Sequence, residues 1–335
     1  MATIKEIFTK DAKFAQILRQ VKIIATTDAS VLITGETGTG KESIAEMLFK
    51  QSQRAGHTFT LLNCAAISPE LLEPILFGYV KGAYTDALDD TQGIIEATHK
   101  GTLFLDEINS LPLAMQAKLL RVIETGEYLP VGSVTQRKAD VRIIAATNAS
   151  IPLAIEQGEF RADLYFRLSV FTIDLPPLRE RHADIRLLFT HYLNFFASKY
   201  NVRCLDVKEE VLLALESYPW PGNIRELRNL AENLTIFHRK RTLSLPHIPS
   251  RYKKYQINTI APLYFELPEF GCDLLKVELS LLCQALENAE GNINRAANLL
   301  GLTRHTLYYR IKKFGQNLLV VLSEKSRLQY QHLIV

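Results

Sequence analysis

"SVLITGETGTGKESIAEMLFK", Ser30 to Lys50, joins a short apolar run to a glycine-rich turn and then to a helix-period pattern. That strand–loop–helix context turns the G-x-x-x-x-G-K spacing of Gly35 to Lys41 into a phosphate-binding loop rather than an ordinary turn. Glycines let successive backbone N–H groups converge on phosphate oxygens. The helix N-terminus adds its positive dipole, and Lys41 reaches the β and γ phosphates. The candidate nucleotide contacts are Gly35, Glu36, Thr37, Gly38, Thr39, Gly40, Lys41 and Glu42. Glu42 stands where a Ser or Thr usually offers a hydroxyl to Mg2+, so metal binding falls more on other groups.

Similar apolar runs recur outward from this stretch: "FTLLNC" at 59, "GTLFLDE" at 101, "VRIIAATN" at 141 and "VFTIDLPP" at 170. They read as buried parallel strands alternating with helices, which predicts an α/β sandwich. In "PLAMQAKLLRVIETG", Pro112 suits a first helical turn and Gly126 a C-terminal cap. "GTLFLDE" ends in two acids. Asp106 is placed to hold Mg2+ and Glu107 to polarise a water aimed at the γ-phosphate, which favours hydrolysis over binding alone. Capping of the next helix is the competing role for such acids, weakened by the phosphate loop upstream.

After "LPPLRER" only helix-period patterns remain to about residue 240, a small helical subdomain. A stretch with four prolines, starting at "SLPHIPSRYKKY", reads as a linker. Expected boundaries are 1–175 for the α/β nucleotide-binding subdomain, 176–243 for the helical lid and 244–270 for the linker. A DNA-binding unit over 271–316 and a tail over 317–335, of unassigned role, complete the chain.

The chain has 335 residues, 47% hydrophobic and 22% charged, with no apolar run long enough to span a membrane. The N-terminus lacks the continuous apolar centre of a signal peptide, so a cytoplasmic location is expected. Cys64, Cys204, Cys272 and Cys283 are too scattered for a C-x-x-C metal site and too few for a disulfide framework. Net charge is only +3, but basic residues gather in two acid-free stretches, Asn233 to Phe265 and Gly291 to Gln316, which suggests nucleic acid.

In "GNINRAANLLGLTRHTLYYRIKKFG", residues 291–315, Ile293, Ala296, Ala297 and Leu300 make one apolar helical face and Gly301 breaks it. Thr303 is placed to cap a second helix whose Leu307, Ile311 and Phe314 face inward. This predicts a helix-turn-helix with a basic recognition helix. Arg304 and His305 are the candidates for base contact, Arg310, Lys312 and Lys313 for phosphates, and Thr306 and Tyr308 complete the DNA-facing set.

Together, "GETGTGKE", "GTLFLDEI", "FRADLYFRL", "LPPLRER" and "YPWPGNIREL" resemble the AAA+ central domain of bacterial sigma-54-dependent transcription activators, the enhancer-binding proteins. The helix-turn-helix resembles the Fis-type domain of the same family. The resemblance implies a three-layer αβα P-loop NTPase with a parallel sheet and helical lid, followed by an all-α Fis-type unit. It implies ATP and Mg2+ as ligands and a ring, usually a hexamer. By the same resemblance Asn63 restrains the catalytic glutamate, Thr147 and Asn148 form a first sensor, and Arg225 a second. Arg161 and Arg167 are the arginines presented to a neighbouring subunit's ATP.

"KGAYTDALDD", residues 81–90, aligns with the family's GAFTGA loop, which presses on sigma-54. The loop set is Gly82, Ala83, Tyr84, Thr85, Asp86 and Ala87, and Asp86 replaces a glycine of the family motif. Aspartate tolerates a left-handed turn, but it adds negative charge beside Asp89 and Asp90. Two functions are therefore carried forward. One is an ATPase that binds upstream DNA and remodels the closed complex of sigma-54 RNA polymerase. The other is an AAA+ DNA-binding regulator, a repressor or a partner of another sigma factor, whose loop no longer engages sigma-54 productively. About thirty residues precede the first strand, too few for the sensory domain common in the family, so control is expected from a separate regulatory protein, from expression level or from DNA occupancy, the alternative being a constitutively active chain.

Overall fold

The computed structural model describes residues 9–84, 87–238, 242–253, 270–289, 292–302, 304–315, 318, 321–322 and 330. The chain forms two units, residues 1–258 and 259–335.

The first unit is built on a five-stranded parallel sheet of β1 (Val31–Thr34), β2 (Phe59–Asn63), β3 (Thr102–Asp106), β4 (Arg142–Thr147) and β5 (Phe171–Asp174). Its order is β2-β3-β4-β1-β5. The central strands carry unbroken apolar runs because both faces are covered, and every residue of β4 is buried. One core, around Phe14, Ile44, Leu48 and Phe104, packs α1 (Ala12–Ala25) and α2 (Lys41–Lys50) on one face. The other, around Leu76, Leu103, Leu119 and Leu164, packs α3 (Pro69–Phe77), α4 (Leu113–Thr125) and α5 (Ala162–Leu168) on the opposite face. The expected αβα sandwich is present. Pro112 is the N-cap of α4 rather than its first turn, and Gly126 ends that helix at φ 72°.

A buried arginine ties α1 to the sheet. Arg142 of β4, 2% exposed, donates to the carbonyls of Ala25, Ile24 and Ala29 at 3.2, 3.2 and 3.4 Å. Carbonyls left over at a helix C-terminus need such donors. Burial pushes the guanidinium below its usual range.

The lid consists of α6 (His182–Lys199), α7 (Glu209–Glu216) and α8 (Asn223–Phe237). Its core does not stop at the expected boundary of 243. Ile248 and Tyr252 are buried in it, with the Tyr252 ring 4.8 Å from Tyr218 and 5.4 Å from Trp220. Two large apolar side chains thus draw the start of the proline-rich stretch into the lid, and the rest of the expected linker, residues 254–269, lies outside the described residues. Asp184 at the start of α6 is fully buried. It accepts from Arg181 at 2.6 Å and from the Lys10 amide at 2.6 Å, pinning the approach to α1 against the lid.

The second unit holds α9 (Leu274–Ala289), α10 (Ile293–Leu299) and α11 (Arg304–Phe314), packed around Leu286, Ala296, Leu307 and Ile311. Leu318, Leu322 and Tyr330 belong to the same core, and Tyr330 donates to the Leu286 carbonyl at 2.9 Å. Those tail residues are therefore part of the helical unit. Among the described residues, no helix is long and apolar enough to cross a membrane.

Candidate functional site: a phosphate loop, its lid and two outlying surfaces

The phosphate loop leaves the carboxyl end of β1, where the strand order reverses direction, the usual place for a ligand crevice in an open α/β sheet. Gly38 and Gly40 sit at φ 82° and 102°, conformations that L side chains avoid. The Thr39 hydroxyl closes the turn by donating to the Glu36 carbonyl at 2.8 Å. Lys41 is 7% exposed, and its ammonium donates to the carbonyls of Gly35 and Glu36 at 2.8 and 3.3 Å. Burial pushes that ammonium below its usual range, while the carboxylates of Glu107 and Asp106 pull it back up. A buried cation inside a cradle of glycine amides fits a triphosphate.

Pairing of β2 with β3 sets Asn63 opposite Asp106. The Asn63 amide nitrogen lies 3.5 Å from Asp106 Oδ2, and its oxygen accepts from the Ala65 amide at 2.9 Å. The resemblance assigns this asparagine to the catalytic glutamate; in the structure its side-chain nitrogen faces the aspartate instead. Glu107 follows at φ 52°, a left-handed conformation costing a non-glycine residue about 1–2 kcal/mol. Its own amide donates to Asp106 Oδ1 at 3.1 Å. Glu42 faces solvent as a residue, yet its carboxyl is partly desolvated and raised, with Glu46 and Asp106 adding repulsion. Carboxylate and phosphate oxygens together are a hard donor set, which suits Mg2+.

Thr147, fully buried at the end of β4, donates to Asn109 Oδ1 at 2.8 Å, just beyond Glu107. Asn148 donates to the Thr37 hydroxyl at 3.1 Å. The two sensor candidates thus touch the acidic turn and the phosphate loop respectively. Arg225 lies exposed in the first turn of α8, near enough for its charge to lower both Lys41 and Glu42.

Sequence reasoning missed the contacts that bring the lid to the loop. Glu36, named as a nucleotide contact, directs its carboxylate to Arg179 at 2.7 and 2.9 Å and to the Asn223 amide at 3.1 Å. These partners hold the carboxyl below the usual range, Arg179 foremost. Asn223, fully buried at φ 50°, also donates to the Thr37 carbonyl at 3.1 Å and accepts from the Leu178 amide at 2.7 Å. The Gly222–Asn223 dipeptide was the available signal, since asparagine is among the few residues that adopt a left-handed turn.

Arg161 forks onto Asp163 at 3.0 and 2.6 Å, and Arg167 pairs with Glu124 at 2.8 Å. Both side chains are exposed at the two ends of α5, so within one chain they form surface ion pairs.

The loop at residues 81–90 is the tip of a hairpin in which Gly78–Tyr79 pairs with Thr91–Gln92. Its base is closed by Gly82 donating to the Ala87 carbonyl at 2.9 Å and by the Lys81 amide donating to Asp90 at 2.8 Å. Tyr84 is 44% exposed and stands 5.1 Å from the Tyr79 ring. Gly132 of a second hairpin packs so closely that a Cβ there would lie 2.7 Å from that of Ala83. Thr85 and Asp86 lie outside the described residues.

In the second unit Leu307 and Ile311 face the core while Arg304, Lys312 and Lys313 are exposed. Thr306, Tyr308 and Arg310 are half-exposed on the same helix; Thr303 and the side chain of His305 lie outside the described residues. Arg304 reaches the Tyr308 hydroxyl at 3.3 Å. Glu278 of α9 pairs with Arg310 and stands 4.0 Å from Lys313. The recognition helix thus has an acidic neighbour, although none occurs in its own segment.

Three family descriptions match the chain in order: the sigma-54 interaction domain over residues 7–174, the AAA+ ATPase lid domain over 179–261, and the Fis family of bacterial regulatory proteins over 274–314. The regulatory protein AtoC of Escherichia coli K12 is 39% identical over 92% of this chain and 68% of its own length. The phenol regulator MopR of Acinetobacter guillouiae is 38% identical over 90% of this chain, which spans 54% of MopR. The crystal structure of NtrX from Brucella abortus in complex with ATP superposes with a TM-score of 0.69 at 30% identity, covering 92% of this chain and 69% of that one. With its AAA+ P-loop fold, lid and Fis-type helix-turn-helix, this chain belongs to the sigma-54-dependent bacterial transcriptional regulators.

Proposed function

We propose that the protein is an ATP-hydrolysing regulator that binds upstream DNA, assembles into a ring and uses hydrolysis to remodel the closed complex of sigma-54 RNA polymerase. The observation that carries the reading is the convergence on one ammonium: Lys41, buried in the glycine cradle, lies within electrostatic reach of Asp106, Glu107 and Arg225. One strand end, one loop and one lid helix supply those groups. In this reading Lys41 and the loop amides bind the triphosphate, and Arg225 steadies it from the lid. Asp106, with Glu42 nearby, would hold Mg2+, which neutralises phosphate charge when bound. Glu107 orients and deprotonates the attacking water. Asn63 holds Asp106 in register with that glutamate, and Thr147 and Asn148 report on the phosphates from the next strand. Arg161 and Arg167 leave their surface partners to reach the nucleotide of the adjacent subunit, where positive charge stabilises the transferring phosphoryl group.

Steady-state hydrolysis tests this. Glu107→Gln is expected to keep ATP binding and lose at least about 100-fold in turnover, the usual scale for removing a general base. Unchanged turnover would remove Glu107 from the mechanism.

A second reading is favoured by one feature, the replacement of a loop glycine by Asp86 beside Asp89 and Asp90. Here the ATPase and DNA-binding parts persist, but the loop serves a partner other than sigma-54. Sigma-54 capture separates the two: capture by the wild type supports the first reading, absence of capture that Asp86→Gly restores supports the second, and capture left unchanged by Asp86→Gly would show that the aspartate does not set this contact.

A further inference from the structure

We infer that Glu36, Arg179 and Asn223 form a polar latch between phosphate loop and lid, and that Glu36 is a positioning residue acting through Arg225 rather than a nucleotide contact. This rests on the proposed role of Arg225 at the nucleotide.

The latch is continuous. The Glu36 carboxylate takes both arms of the Arg179 guanidinium and the Asn223 amide. Asn223 spans three backbone segments: it donates to Thr37 O in the loop, accepts from Leu178 N before α6, and begins α8 itself. Beside it, the Ile224 amide donates to the Gly38 carbonyl at 2.9 Å. The two backbones touch so closely that a Cβ on Gly38 would lie 2.4 Å from the Gly222 carbonyl oxygen. Arg225 follows in the same helical turn, so the direction in which it leaves α8 is set by where Asn223 and Ile224 are held. A charge-assisted, two-armed hydrogen bond is among the stronger and more directional polar contacts, and a buried amide satisfied on both sides resists rotation. Phosphate binding acts on the amides at residues 37–41, and Glu36 is the next residue in the chain. Any shift of the loop is thereby passed to the lid through protein contacts as well as through the nucleotide.

Two measurements on the full chain test this. The first uses no nucleotide: amide hydrogen exchange at Ile224 and Leu178 is compared between wild type and Glu36→Ala. Exchange at least about tenfold faster at both amides, with β3 amides unchanged, supports the latch; equal rates overturn it. The second is a double-mutant cycle on the KM for ATP. If Glu36 acts through Arg225, Glu36→Ala raises KM about tenfold alone and adds nothing in an Arg225→Ala background, whereas Glu36→Gln recovers part of the loss. Multiplicative effects, or a Glu36→Ala variant with wild-type KM, overturn it. If the wild type hydrolyses no ATP, the functional reading fails while the exchange experiment still decides the latch.

Discussion

Glu36 illustrates how a side chain in a nucleotide-binding motif can serve the protein rather than the ligand. Its folded-state pKa is lowered by Arg179 first and Asn223 second, so its contribution to stability has a definite sign. Ionised Glu36 stabilises the folded state at pH values above the ordinary carboxyl value of about 4.3, and that contribution fades as pH falls through the lower folded value. Wild type and Glu36→Gln are therefore expected to differ most in denaturation midpoint near pH 6–7 and to converge only as pH falls through that lowered folded value. A gap that widens on acidification would contradict the pairing. Arg142 gives a prediction of another kind, because its guanidinium donates to the carbonyls of Ile24 and Ala25 at the end of α1 and of Ala29 just beyond it. Arg142→Ala removes this donor from a buried site, where Ile24 keeps the Thr27 amide and hydroxyl but Ala25 and Ala29 lose the arginine, at a cost of about 1–3 kcal/mol. This should appear as a lower urea midpoint with an unchanged slope.

At the scale of elements, the lid core is closed by Tyr252 stacked on Trp220, the only tryptophan in the chain. Tyr252→Ala should destabilise the lid by about 3–5 kcal/mol, as for other buried aromatics, and Trp220 fluorescence should report that transition directly. On the recognition helix, Glu278 partly neutralises Arg310 and Lys313. Glu278→Gln should raise affinity for DNA and steepen the dependence of log K on log salt by about one unit; an unchanged slope would mean those cations already meet phosphates. The main elements were legible before the structure. The Ser30–Lys50 stretch and the later apolar runs carry strand and helix periods that local physics enforces, and the helix-turn-helix showed the same regularity. What escaped was long-range and polar. Glu36 meets Arg179 and Asn223 across 143 and 187 residues, and Glu278 meets Arg310 across 32, separations that leave no periodic trace. Tyr252 escaped because neighbouring prolines looked like a linker, although one buried ring suffices to dock the segment.

At the scale of the whole molecule, the sigma-54 interaction domain, lid and Fis-type unit follow one another along one chain, each with its own core. In the proposed ring the exposed arginines of α5 would reach the phosphate loop of the adjacent subunit, which would make hydrolysis depend on assembly. Upstream DNA would raise the local concentration of subunits, and the hairpin bearing Tyr84 would transmit nucleotide state outward. In this proposal the loop's departure at Asp86 would bear on the last of these steps, altering the partner while leaving the ATPase unchanged. The most direct test is to incubate the protein with sigma-54 and ADP plus aluminium fluoride, a mimic of the transferring phosphoryl group, and to resolve the products by size. A ring-sized complex containing sigma-54, formed with the analogue and absent with ADP alone, is the expected result. Hydrolysis of ATP with no sigma-54 in any analogue-dependent complex would contradict it.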